Sequence, residues 1–227
     1  MSEAPVRVCL AGATGLVGSA ILREAVGRED VRIIAIARRE VALPPGARME
    51  LLVGPPQDWP ALIAAARADV LVSALGTTIR SAGSQPAFRA VDHDLVLATA
   101  QAARDCGITR MIAVSSTGAD PAARAFYLRT KGEAEEALGK LGFHRLDLVR
   151  PGLLLGSRAE ARPLERIARI IQPALDPLLL HGRWQGYRSI RAATVARAML
   201  TLCRETARGR RVHEYGAIRA LAQRSGD

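Results

Sequence analysis

Val8-Cys9-Leu10-Ala11-Gly12-Ala13-Thr14-Gly15-Leu16-Val17-Gly18-Ser19-Ala20 is the stretch that decides the fold. An apolar, β-prone run enters three glycines and leaves through helix-compatible Ala20, Ile21 and Leu22. Strand, tight turn and helix in that order present free backbone N–H groups and a positive helix end to a pyrophosphate. Gly12 turns the chain off the strand, Gly15 lets the backbone approach phosphates, and Gly18 lets the helix pack close to the sheet. The spacing is G-x-x-G-x-x-G, and its place after a first strand is what lifts it above an ordinary glycine-rich turn. The cofactor-contacting residues expected here are Gly12, Ala13, Thr14, Gly15, Leu16, Val17 and Gly18.

Outward from this stretch, strand and helix signals alternate. Strands are expected at 6–10, 31–37, 49–53, 70–75, 111–115 and 146–149. Helices are expected at 19–27, 59–67, 88–106 and 125–141, with a polar loop over 76–87. Near-continuous apolar strands, each followed by a helix, predict a doubly wound parallel sheet, a Rossmann-like α/β fold. Ligands of such sheets lie beyond the carboxyl ends of the strands. After residue 156 the pattern changes to an Arg-rich amphipathic helix at 163–171, an apolar stretch at 173–180 and a last helix at 194–205. The whole chain, 1–227, reads as one domain with a small C-terminal helical extension on the substrate side, residues 157–190 forming a lid.

Composition narrows the class. Hydrophobic residues make up 49% and charged residues 24%, as in ordinary globular domains. Cys9, Cys106 and Cys203 are odd in number with no C-x-x-C spacing, which indicates a reducing compartment and neither a disulfide framework nor zinc. No leader pattern and no bilayer-length apolar run is present, so the expected location is cytoplasmic, with no membrane span. The net charge of +10 raises nucleic-acid binding, but the arginines are dispersed, aromatics are 4% and no nucleic-acid motif occurs. An arginine-rich proteome together with a need to attract anionic ligands accounts for the charge better. His93, His144, His181 and His213 are scattered, so no metal site is expected. Trp59 and Trp184 read as packing or cleft-lining residues.

Two further patterns carry chemistry. The second strand ends in Arg38 and Arg39, where an acidic residue would ordinarily receive the adenosine ribose of NAD. Guanidinium groups there suit a 2′-phosphate, favouring NADP over NAD. The fifth strand ends Val114-Ser115-Ser116-Thr117-Gly118, and Tyr127 and Lys131 follow four residues apart. On a helix they share a face, and an ammonium beside a phenol makes the tyrosine usable as an acid or base near neutral pH. A nearby serine hydroxyl can orient a substrate carbonyl.

These residues, with Ser73-Ala74-Leu75-Gly76-Thr77-Thr78, Val91-Asp92-His93-Asp94, Gly118-Ala119-Asp120, Gly132-Glu133 and Arg150-Pro151-Gly152-Leu153-Leu154-Leu155, resemble a short-chain dehydrogenase/reductase of the atypical, extended type. Within that superfamily they are similar to the branch of Tat-interactive-protein-like oxidoreductases. The resemblance covers about residues 6–205 and is densest from 72 to 156. It implies a Rossmann fold, bound NADPH and a catalytic set of Ser116, Tyr127 and Lys131, with Ser115 the alternative serine. It also places Leu75, Gly76, Ser115, Tyr127, Lys131, Pro151 and Gly152 against the cofactor.

The chain departs from the superfamily in two places. The helix after the fourth strand often carries Asn, where Asp92 is the nearest match here, and only 71 residues follow residue 156, too few for a nucleotide-sugar domain. The expected activity is hydride transfer between NADPH and a small carbonyl or alcohol. The alternative is a non-catalytic NADP(H)-binding redox sensor acting through a protein partner. The apolar Leu178, Leu179 and Leu180 are compatible with a homodimer.

Overall fold

The computed structural model describes residues 4–47, 49–155 and 188–224. Seven parallel strands form one sheet: β1 (Val6–Ala11), β2 (Val31–Ala37), β3 (Glu50–Val53), β4 (Val70–Ser73), β5 (Arg110–Val114), β6 (Arg145–Val149) and a last strand, β9 (Gly209–His213). Their order is β3-β2-β1-β4-β5-β6-β9. β1 lies between β2 and β4, with Val8 opposite Ile33 on one side and Val70 on the other. Chain progression reverses there, and the reversal opens a crevice at the carboxyl ends of β1 and β4.

Alternation along the strands explains why both faces are covered. Val8, Leu10, Ile33, Val70 and Ile112 face one core, closed by α1 (Leu16–Glu24), α7 (Ala192–Leu202) and α8 (Tyr215–Gln223). Cys9, Ala11, Ile34, Leu71 and Met111 face the other, closed by α2 (Trp59–Ala66), α5 (Val96–Asp105) and α6 (Phe126–Lys140). A strand buried on both faces has no polar side, which is the near-continuous apolar pattern seen in the sequence.

Several boundaries differ from expectation. The first helix begins at Leu16 rather than residue 19, because Gly15 is already its N-cap and Gly18 lies inside it. The expected loop over 76–87 holds α3 (Ile79–Ala82) and the start of α4 (Gln85–Arg89). Side chains set both starts: Thr78 accepts from the Ser81 N–H and Ser84 from the Ala87 N–H. The helix expected over 88–106 winds as a π-helix from Ala90 to Leu95 before α5.

At the C-terminal end, α7 packs on the sheet, and β9 and α8 complete it. β7 (Leu154–Leu155) and β8 (Ile190–Arg191) pair in parallel. The helix at 163–171, the apolar stretch at 173–180, His181 and Trp184 lie outside the described residues, as does the lid except for residues 188–190.

Candidate functional site

The β1–α1 turn is built by steric exclusion of side chains. Gly12 has φ +90°, and a β-carbon on it would lie 2.6 Å from the Ala74 carbonyl and 2.7 Å from the Leu75 nitrogen. The turn after β1 therefore presses against the turn after β4 with backbone alone. A β-carbon on Gly18 would lie 2.1 Å from the Gly12 carbonyl oxygen. Gly18 thus seats the first turn of α1 on the glycine turn itself, where the sequence suggested contact with the sheet. The helix has no side-chain cap and no acidic residue in its first turn, so its positive end is left for an anion.

A cleft opens along this backbone, lined by Gly12, Ala13, Thr14 and Gly15, by Arg38 and Arg39 after β2, and by Leu75 and Gly76 after β4. Ile36, Ala37, Trp59, Ala74, Val91 and Leu95 complete it. Of the other expected contacts, Val17 and Gly18 are buried, and Val17 turns its side chain into the core. Leu16 packs against the same core. Backbone is what these three can offer a ligand. Arg38 and Arg39 are exposed at the cleft rim. Trp59 is 97% buried by position and donates from Nε1 to the Gly54 carbonyl (3.1 Å), so it forms wall and not a stacking platform.

The second half of the site lies where the segments after β5 and β6 run side by side. Ser115 N–H donates to the Val149 carbonyl (2.7 Å), and Thr117 N–H donates to the Pro151 carbonyl (3.1 Å). The Thr117 hydroxyl donates to the Arg150 carbonyl (3.0 Å). These bonds bring Ser115–Thr117 beside Arg150, Pro151 and Gly152. The Ser116 hydroxyl donates to the Thr117 carbonyl (3.2 Å), whereas the Ser115 hydroxyl is buried with no partner among the described residues.

Tyr127 and Lys131 stand one turn apart on α6. The Tyr127 ring packs at 5.5 Å from Phe88, in a tilted arrangement. Lys131 is buried, its Nζ 2.7 Å from Asp92 Oδ1, and Asp92 Oδ2 accepts the Thr77 N–H at 2.8 Å. A β-carbon on Gly76 would sit 3.3 Å from Asp92 Oδ1 and 3.7 Å from Lys131 Nζ. Gly76 also lines the cleft, so the lysine lies directly behind that part of its wall. Sequence reasoning identified Asp92 as a departure but not as the partner of Lys131, because no local spacing links the two helices. Among the described residues no cluster of metal-binding side chains occurs, and no helix is long and apolar enough to cross a membrane.

The features suit a dinucleotide. A side-chain-free turn, an open helix end and two guanidiniums with no partner among the described residues border one cleft, and a buried ammonium lies behind its Gly76 wall. The NAD(P)H-binding family matches residues 12–205. The mitochondrial protein fmp52 of Emericella nidulans is 39% identical over 175 residues, 74% of this chain and 75% of that protein. FMP52 of Eremothecium gossypii, also mitochondrial, is 38% identical over 176 residues, 77% of each. Among solved structures, MoeE5 in complex with UDP-glucuronic acid and NAD superposes with a TM-score of 0.68 at 18% identity, over 91% of this chain and 75% of that one. WbmH of Bordetella bronchiseptica in complex with NAD+ gives 0.69 at 14% identity, over 93% and 76%. At such identities these two structures speak for the fold alone.

The names of the relatives overturn the expected cytoplasmic location: they are mitochondrial proteins. Unpaired cysteines mark a reducing environment and do not say which one. The names also differ from the Tat-interactive branch that the motifs resemble. The matched span, the relatives and the glycine-built cleft together make this chain a member of the NAD(P)H-binding family, with a Rossmann-type domain of the oxidoreductase kind.

Proposed function

We propose that this protein is an NADP-dependent oxidoreductase of the short-chain dehydrogenase/reductase type, acting on a small carbonyl or alcohol. The kinship with the Tat-interactive-protein-like branch, carried by the motifs above, is part of the same proposal. The observation that carries it is the position of Lys131 behind Gly76, which lines the glycine-built cleft. A buried ammonium there would hold the nicotinamide-side ribose, while Arg38 and Arg39 would receive the 2′-phosphate.

NADPH held by the glycine turn, Arg38, Arg39 and Lys131 would supply the hydride for the substrate carbonyl carbon. Tyr127 then gives its phenolic proton to the carbonyl oxygen, and the product is the alcohol. Lys131 stands on the same helix face, one turn from Tyr127. Ser116, or alternatively Ser115, orients the carbonyl oxygen. Pro151 and Gly152 close the site beside the serines through the Thr117 bonds.

The test is Tyr127→Phe in a carbonyl-reduction screen followed by NADPH oxidation. Turnover falls by about 10²–10⁴-fold while NADPH affinity stays within a few fold. Unchanged turnover refutes the role of Tyr127. Separate Ser115→Ala and Ser116→Ala variants assign the serine.

One observation favours a second reading, the redox sensor: the charge of Lys131 is already matched by Asp92. That reading predicts NADP(H) binding without turnover and a partner affinity that changes with nucleotide state.

A further inference from the structure

We infer that Asp92 is the positioning residue for Lys131: its carboxylate locks the lysine to the turn after β4 that borders the nucleotide cleft. The inference rests on the oxidoreductase reading and deepens it. Asp92 is 1% exposed and the Lys131 side chain 7%, so both charges are out of water. The two oxygens divide the work. Oδ1 faces Nζ at 2.7 Å, and Oδ2 accepts the Thr77 N–H at 2.8 Å. One carboxylate therefore ties α6, which carries Tyr127, to the Leu75–Gly76–Thr77 turn that lines the cleft.

Oδ1 faces Nζ at a charge-assisted distance, and a single carboxylate oxygen takes up at most one of the three ammonium donors. Lys131 has no other partner among the described residues. Its other N–H donors therefore remain available to an acceptor, although buried donors are normally satisfied. The edge of the cleft at Gly76, 3.7 Å away measured from a β-carbon position, is where such an acceptor would come. An ion pair buried only for stability is a poor device, because desolvation offsets most of the attraction. Only two of the 32 basic residues in the chain are lysines, so the ammonium at 131 stands out from a surface built of arginine. A compact, three-donor cation fits beneath a backbone turn where a planar guanidinium would not. Asn at position 92 could keep the Thr77 bond but could not balance the charge.

The test is a double-mutant cycle of Asp92→Asn and Lys131→Met in the full chain, read by calorimetric titration with NADPH and NADH and by urea unfolding. Removing a negative charge near an anionic ligand would by itself tighten binding. Loss of positioning does the opposite: D92N weakens both nucleotides alike, by about tenfold, as when a ligating group loses the residue that orients it. The double variant binds no more weakly than K131M alone, because Asp92 acts through Lys131. In urea each single variant unfolds earlier, and the double variant recovers, since it leaves no unpaired buried charge. That recovery keeps the test decisive even where D92N does not fold. Equal or tighter binding by D92N, losses that multiply in the double variant, or a double variant no more stable than D92N each overturn the inference. Binding of neither nucleotide to the unaltered protein overturns the oxidoreductase reading itself, a result distinct from any of these.

Discussion

Arg150 grips Glu135 with both ends of its guanidinium: Nε donates to Oε1 at 2.8 Å and Nη2 to Oε2 at 2.5 Å. Glu135 is 3% exposed and sits on α6 one turn beyond Lys131, so the pair ties that helix to the end of β6. The hydrogen bonds to Glu135 also hold the Arg150 guanidinium more firmly charged than usual. Arg150 precedes Pro151 and Gly152, which the family resemblance sets against the cofactor, and its side chain braces the helix that carries Tyr127 and Lys131.

Arg150→Met leaves Glu135 buried with Arg210, 3.8 Å away, as its one cation among the described residues. The cost is about 2 kcal/mol, below the range for fully buried pairs because the Arg150 side chain is 21% exposed. Urea unfolding checks this, and the Glu135→Leu, Arg150→Met pair should regain part of the loss. Full additivity of the two variants would mean that the brace carries no coupling.

Gly18→Ala brings a methyl group to 2.1 Å from the Gly12 carbonyl oxygen, which is backbone and cannot swing away. Either α1 lifts or the glycine turn opens. The expected destabilisation is about 3 kcal/mol, or about 10 °C in Tm, with nucleotide binding lost alongside. A variant that keeps both Tm and nucleotide affinity would show that the contact is looser than described.

Thiol chemistry separates the three cysteines. Burial pushes Cys9 and Cys203 up to about 12, whereas Cys106 is exposed. A disulfide reagent at pH 8 should therefore label Cys106 alone in the folded protein and all three in urea. The same shifts couple to stability. Between the ordinary thiol value of 9.0 and about 12, the unfolded chain has released protons that the folded one retains. The thiol contribution is thus intact below pH 9 and is lost as pH rises toward 12. A urea midpoint that does not fall between pH 8 and pH 10.5 would contradict it.

The legible parts of the molecule are those where burial leaves a one-dimensional trace. Val31–Ala37 is the expected second strand to the residue, because six of its seven positions are buried and apolar. The glycine turn is legible because backbone contact leaves no alternative residue. β9 was invisible for the opposite reason. Gly209–His213 has one aliphatic side chain, Val212, and that is 44% exposed at the sheet edge among arginines, which is how open edges are kept from pairing. Trp59 reads as packing or cleft-lining, and it does both. Asp92 and Lys131 could each be noticed from their neighbours, but their meeting depends on how α6 packs against the π-helix, which no spacing encodes.

The central claim is that this cleft takes NADPH through Arg38 and Arg39. Calorimetric titration of the protein with NADPH and with NADH, repeated on the Arg38→Ala, Arg39→Ala double variant, tests it most directly. The predicted result is a preference for NADPH that falls by about tenfold or more in the variant while NADH affinity stays within about twofold, the scale of charge-assisted hydrogen bonds to a phosphate. Equal affinity for the two nucleotides in the unaltered protein, or a preference that survives the double substitution, would contradict it.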